Sequence, residues 1–192
     1  LVVAGFSGIG KTSLVNEIYK PVTRERGSFI TGKFDQYKRD IPYGAVIEAF
    51  QGLVKELLAQ EEETLLRWKE RLLEVLGPNG QVIIDVIPEM EMIIGAQPGV
   101  PDLPPAESHN RFNLVFQNFM GVFAREEHPL VVFLDDLQWA DNASLNLVRT
   151  LMTGPESRFL LLIGAYRDNE VDAKHPLTAA LDEVERAGAA LG

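Results

Sequence analysis

Two short stretches of this chain carry residue types suited to phosphate chemistry. The first, Gly5-Phe6-Ser7-Gly8-Ile9-Gly10-Lys11-Thr12, completes the pattern G-x-x-x-x-G-K-[ST]. Glycines at these positions let the backbone curl until successive N–H groups face one anion. A helix starting at the lysine adds the positive end of its dipole. In such a loop Lys11 bridges the β- and γ-phosphates of a nucleoside triphosphate, and the Thr12 hydroxyl is a ligand for Mg²⁺. The candidate phosphate-binding set is Gly5, Ser7, Gly8, Ile9, Gly10, Lys11, Thr12 and Ser13.

The second stretch is residues 130–136, an apolar run that ends in Asp135-Asp136. A continuously apolar run of this kind reads as a strand buried on both faces, and its C-terminal end is where open parallel sheets bind ligands. Taken alone, an Asp pair after a strand is more often a solvated loop or a helix cap; following a complete phosphate loop, it reads as functional. Adjacent residues leave a strand in opposite directions, so the two acids are expected to divide the work. Asp135 is the expected Mg²⁺ ligand, and Asp136 the expected group that orients and deprotonates an attacking water. Arg167 lies two residues beyond a second apolar run, 159–165, where a cation can reach a γ-phosphate. The candidate catalytic residues are therefore Lys11, Asp136 and Arg167.

The neighbours of these residues have plainer readings. Trp139 is expected to plug the core, and Gln138 to face either the site or solvent. Asp141, with Ser144 three residues later, has the spacing of a helix cap. Lys33, Asp35, Asn110 and Arg111 are polar residues near predicted element ends that no spacing singles out. His109, His128 and His175 are scattered, match no metal-ligand pattern and are assigned surface or packing roles.

The elements that must hold these groups follow from hydrophobic periodicity. Strands are expected at 1–4, 28–35, 130–134 and 159–165. Helices are expected at 11–19 (ended by Pro21), after Pro42, at 62–76, 108–125, 143–152 and 176–187. Pro88 splits 81–94 into two short helices, and 96–106, with four prolines, is a loop. Apolar strands alternating with helices predict an α/β domain with a central, mostly parallel sheet. The helix-rich stretch of about 43–126 is an unusually long crossover, expected to pack as a helical insertion on one side.

The 192 residues suffice for one domain, here 1–192, with ordinary apolar (46%) and charged (24%) fractions. A formal charge of -10 disfavours nucleic acid and anionic membrane as partners. The chain has no cysteine, which excludes disulfides and fits a cytoplasmic setting. No apolar run reaches the roughly 20 residues that span a bilayer. The first residue is not methionine and lies in an apolar run, so the chain reads as a fragment of a longer protein.

The run Leu134-Asp135-Asp136-Leu137-Gln138-Trp139-Ala140-Asp141, with the phosphate loop, resembles the STAND class of signalling ATPases. More narrowly, it is similar to the AAA-type ATPase module of multidomain bacterial regulators such as hybrid serine/threonine–histidine kinases. Gly32-Lys33-Phe34-Asp35-Gln36, Asn110-Arg111-Phe112 and Gly164-Ala165-Tyr166-Arg167-Asp168-Asn169-Glu170 strengthen the likeness, which covers essentially the whole chain. The resemblance implies a P-loop fold of the ASCE/AAA type and an ATP/ADP switch requiring Mg²⁺, with slow hydrolysis as the reset. It implies other domains of the parent protein as partners, and nucleotide-dependent self-association. It places the family roles on Lys11, Thr12, Asp135 and Asp136, with Arg167 as γ-phosphate sensor. It also leads one to expect a fifth strand and a helical lid beyond residue 192.

Two other readings remain open: a nucleotide-binding module whose occupancy is the output, and a replication-initiator-like ATPase, which the acidic charge disfavours. The chain has no N-K-x-D base-reading motif of GTPases and no S-G-G-Q signature of ABC transporters. The phosphate-loop assignment predicts that Lys11→Ala removes a charge-assisted contact and weakens triphosphate binding about ten- to a hundred-fold. Titration with labelled ATP measures it, and unchanged affinity would refute the loop assignment.

Overall fold

The computed structural model describes residues 1–24, 27–38, 41–154 and 158–188. Its centre is a sheet of strands β1 (Val2–Ala4), β2 (Ser28–Lys33), β3 (Leu130–Asp135) and β4 (Leu160–Tyr166). They run parallel in the order β1-β4-β3-β2, so every connection is a crossover. The α/β class and the parallel sheet expected from the periodicity are found.

Alternation along the strands divides the core between the two faces of the sheet. Ile30, Val132, Leu134, Leu160 and Leu162 face the larger cluster. Val131, Phe133, Ile163 and Ala165 face the smaller one, with Val15, Ile18 and Val22 packed on them. Those last three come from α1 (Lys11–Asn16) and from α2 (Tyr19–Arg24) and the turn before it. A single helix over 11–19 stopped by Pro21 is therefore corrected: the chain breaks after Asn16, and Pro21 sits third in a second helix. The first turn tolerates proline because its N–H groups have no partner within the helix.

The larger face is covered by the helices of the β2–β3 crossover and by two later ones. α3 (Gly44–Leu58), α4 (Glu62–Leu76), α5 (Gly80–Ile84), α6 (Glu91–Ile94) and α7 (Pro105–Phe123) lie between β2 and β3. α8 (Asn142–Thr153) follows β3, and α9 (Pro176–Arg186) follows β4. α7 contributes an aromatic ladder: Phe116 and Phe119 lie 5.0 and 5.5 Å from the Phe50 ring of α3, and Phe123 lies 5.2 Å from Trp68 of α4. Pairs at these separations add about 0.5–1.5 kcal/mol each beyond their buried area. The crossover helices are thereby clamped to one another as a single layer.

Two features seat this layer against the strand ends. Gly32 of β2 lies under α3 so closely that a Cβ there would stand 1.9 Å from the Ala45 carbonyl oxygen. Tyr43, at φ 64°, turns the chain into α3 and donates its N–H to Ser144 Oγ at 3.1 Å. Asp141 caps α8 as expected, accepting the Ser144 N–H at 2.8 Å. Among the described residues, no helix is long and apolar enough to cross a membrane.

Gly32→Ala must push α3 away from β2, and overpacking of this kind costs about 1–3 kcal/mol or more. Chemical denaturation should show the loss. Wild-type stability would mean that the close approach of Ala45 is not maintained.

Candidate functional site

The candidate phosphate loop joins β1 to α1, and its glycines take backbone angles that side chains disfavour. Gly5, Gly8 and Gly10 lie at φ 154°, 79° and 97°. Ile9 and Phe6 project outward, 67% and 61% exposed, so the turn is held by its backbone rather than by burial. Lys11 Nζ curls back and donates to the Gly5 and Phe6 carbonyls at 2.7 and 3.0 Å. The ammonium is thus held over the inside of the loop.

The two acids at the end of β3 do leave in different directions. Asp135 continues the alternation toward the α1 side, where its Oδ2 accepts the Thr12 hydroxyl at 3.1 Å. That contact joins residues 123 positions apart in sequence. Its Oδ1 accepts the Asp136 N–H at 2.9 Å, fixing the carboxylate plane. Asp136 sits at φ 56°, one of two non-glycine residues with positive φ among those described. This left-handed turn ends the strand and sends its side chain toward the other neighbours.

Asp136 is only 6% exposed, and a buried carboxylate needs partners. It has three. Lys33 Nζ from the end of β2 lies 3.3 Å from Oδ2, and Arg167 Nε from beyond β4 lies 3.4 Å from Oδ1. Gln138 Nε2 donates to Oδ1 at 2.9 Å, while Gln138 Oε1 accepts the Arg167 backbone N–H at 3.2 Å. A second layer holds Arg167 in turn. Its Nη1 donates to Glu170 Oε1 at 2.8 Å, and its guanidinium lies 4.7 Å over the Trp139 ring. Trp139 Nε1 donates to Glu170 Oε2 at 3.1 Å. The Glu170 hydrogen bond first, then the Asp136 charge, raise the Arg167 pKa further above its already high ordinary value. The guanidinium is a fixed positive charge.

The structure thus brings Thr12 to Asp135 and Arg167 to Asp136, and adds groups that spacing did not single out. Lys33 is one; register sets it beside Asp135 at the strand ends, and the rule that ligands gather at C-terminal strand ends could have flagged it. Gln138 is another, 2% exposed and hydrogen-bonded at both ends of its amide, so solvent is excluded as its surroundings. Trp139 does pack against the core, but it also carries the Arg167 and Glu170 contacts. Asp35 accepts the Tyr37 N–H in a local turn. Arg111 donates to the Pro101 carbonyl, and neither residue joins the cluster. A cleft of about 860 Å³ opens beside Lys33 and Trp139.

The partners of Asp136 differ in what they hold. Lys33 is 64% exposed, so Lys33→Ala leaves Arg167 and Gln138 on the acid and should cost under about 1 kcal/mol. Arg167→Ala strips Asp136, Glu170 and the Trp139 face together and should cost clearly more than Lys33→Ala, with loss beyond additivity in the double variant. Urea denaturation of the three variants decides it; equal and additive costs would mean the contacts do not form one network.

Comparison with known proteins agrees with this geometry. The family described as the AAA ATPase domain matches residues 1–163. The chain is also similar to hybrid signal transduction histidine kinase G of Dictyostelium discoideum, with 47% identity over 152 residues. That match covers 79% of this chain and 4% of the relative's length. No solved structure matches. With a phosphate loop between β1 and α1, an acidic pair at the end of β3 and a matching sequence over most of its length, the chain belongs to the AAA ATPase domain family.

Proposed function

We propose that this domain binds Mg-ATP and hydrolyses it slowly, as a switch within a larger signalling protein. The observation that carries the reading is the Thr12–Asp135 contact, which sets a hydroxyl and a carboxylate 3.1 Å apart beside a glycine loop holding a lysine. Oxygen donors of this kind suit Mg²⁺, which keeps several waters and needs only one or two protein ligands beside phosphate oxygens. Among the described residues no cluster of three His, Cys, Asp or Glu offers an all-protein cage, which that ion does not require. Thr12 Oγ1 and Asp135 would hold it, and it would supply positive charge against the negative charge that develops on the phosphate.

The chain's own groups supply the rest. Lys11 turns from the loop carbonyls to the phosphates, and the Gly5–Gly10 backbone N–H groups orient them. Asp136 takes the proton of the attacking water at Oδ2 once Lys33, its exposed partner, swings aside. Arg167 stands where it can trade its contact with Asp136 for a γ-phosphate, and so report which nucleotide is present. The relative's histidine-kinase name supports placing the switch in a signalling protein, with its other domains as partners.

One observation favours a second reading, occupancy without turnover: two cations and an amide occupy both carboxylate oxygens of Asp136, the oxygens that an attacking water would need. The two acids separate the readings. Asp136→Asn should leave Mg-ATP binding nearly intact and slow single-turnover hydrolysis by about 10²–10⁴-fold. Asp135→Asn should instead weaken the magnesium dependence of binding. Hydrolysis untouched by Asp136→Asn, or undetectable in wild type while nucleotide exchanges freely, overturns the hydrolytic reading in favour of occupancy.

A further inference from the structure

Strand β4 ends between the two halves of the site. Ala4 of β1 pairs with Tyr166 of β4, so Gly5 of the loop and Arg167 each follow directly on a paired position. On the other side Leu134 pairs with Gly164, which sets the Asp135-Asp136 end of β3 against the same strand end. Arg167 therefore leaves the sheet between the glycine loop and the acids. It carries with it an anion, Glu170, that has no part in the proposed hydrolysis.

Glu170 is held more firmly to Arg167 than Asp136 is. Residues Asp168–Glu170 form a single 3-10 turn, closed by the Glu170 N–H on the Arg167 carbonyl at 3.0 Å. Side chains three apart eclipse in such a turn, which brings the Glu170 carboxylate alongside the guanidinium. The resulting contact is 2.8 Å, against 3.4 Å to Asp136, and the shorter charge-assisted bond is the stronger. Trp139 fixes both members of the pair. Its Nε1–H donates to the second Glu170 oxygen at 3.1 Å, and its ring lies against the guanidinium at 4.7 Å. Asp168, the other acid of the turn, accepts the Asn169 N–H at 2.9 Å instead.

Charge decides what this clamp does to a nucleotide. Asp136 and Glu170 face Lys33 and Arg167, so acids and cations balance before any ligand arrives. ATP exceeds ADP by one phosphoryl group and its negative charge, and that group is the one proposed to meet Arg167. If Arg167 keeps Glu170 while meeting the phosphate, the carboxylate repels the incoming charge at close range. If Arg167 gives Glu170 up, a short ion pair is lost when ATP binds and kept when ADP binds. Both routes have the same sign.

We infer that Glu170 is a positioning residue that sets the ATP/ADP discrimination of the site, as a counter-ion on Arg167 that opposes the γ-phosphate. The inference rests on the proposed nucleotide site. A sensor so restrained keeps the two nucleotides close in affinity, and the switch then follows their ratio instead of locking on ATP.

The test measures binding of ADP and of the non-hydrolysable β,γ-imido analogue of ATP, each with Mg²⁺, to wild type, Glu170→Gln, Arg167→Ala and the double variant. The Glu170 side chain is 33% exposed, and Gln keeps its size and one of its acceptor oxygens, so the variant should fold. Glu170→Gln should tighten the triphosphate analogue about three- to tenfold and leave ADP within about twofold. In the Arg167→Ala background the same substitution should have no effect, since Glu170 acts through that guanidinium. On unaltered protein, the indole N–H signal of Trp139 in the isotope-labelled chain should shift with the triphosphate analogue and far less with ADP. Equal changes for both nucleotides in Glu170→Gln, weaker triphosphate binding, an effect that persists without Arg167, or equal Trp139 shifts overturn this inference and leave the nucleotide site standing. Failure of wild type to bind either nucleotide overturns both.

Discussion

A carboxylate taken out of water at the end of a strand must be neutralised there, and Asp136 places that demand on three strands at once. Its partners come from β2, from beyond β4 and from the turn that leaves β3. Lys33 and Arg167 reach the acid only while the strands keep their register, with Lys33 beside Asp135 and Leu134 beside Gly164. Loss of pairing would leave the charge buried and alone, a penalty of several kcal/mol. The electrostatics of one residue and the alignment of the sheet are therefore a single problem with a single solution.

The helical layers serve that alignment. On the smaller face, α1 brings Thr12 under Asp135 while Val15 seals the strands below. On the larger face, Gly32 admits α3 so near that Lys33, the next residue, stays at the rim of the sheet. The Tyr43–Ser144–Asp141 chain then fastens the start of α3 to the start of α8, the helix entered directly from the acidic turn. The crossover helices and the acidic turn are joined by polar contacts as well as by the aromatic core. A change in the pairing of Asp136 has a short mechanical route into the helical layer.

Charge is distributed with the same logic. The chain carries a net -10, yet Lys11, Lys33 and Arg167 gather at the C-terminal edge of the sheet. On a chain of net negative charge, three cations gathered at one edge give an anionic ligand a favourable place to settle.

The residues alone determined the class of fold and set a glycine-rich turn and an acidic pair at strand ends, because each rests on local rules. Strand and helix periodicities are set within a few residues, and the loop's glycines, lysine and threonine are adjacent in sequence. Alternation at a strand end likewise foretold that Asp135 and Asp136 would part company. Pro21 misled because its effect depends on position: in the interior it breaks a helix, and in a first turn it does not. Tertiary structure alone decided what surrounds Asp136. Lys33 lies 103 positions before it and Arg167 31 after it, and both meet it only because parallel strands bring their C-terminal ends together. Gln138 became a buried bridge through the packing of elements whose sequences look unremarkably polar. Local chemistry is written in neighbours along the chain; the partners of a buried charge are chosen by which strand ends the fold sets side by side.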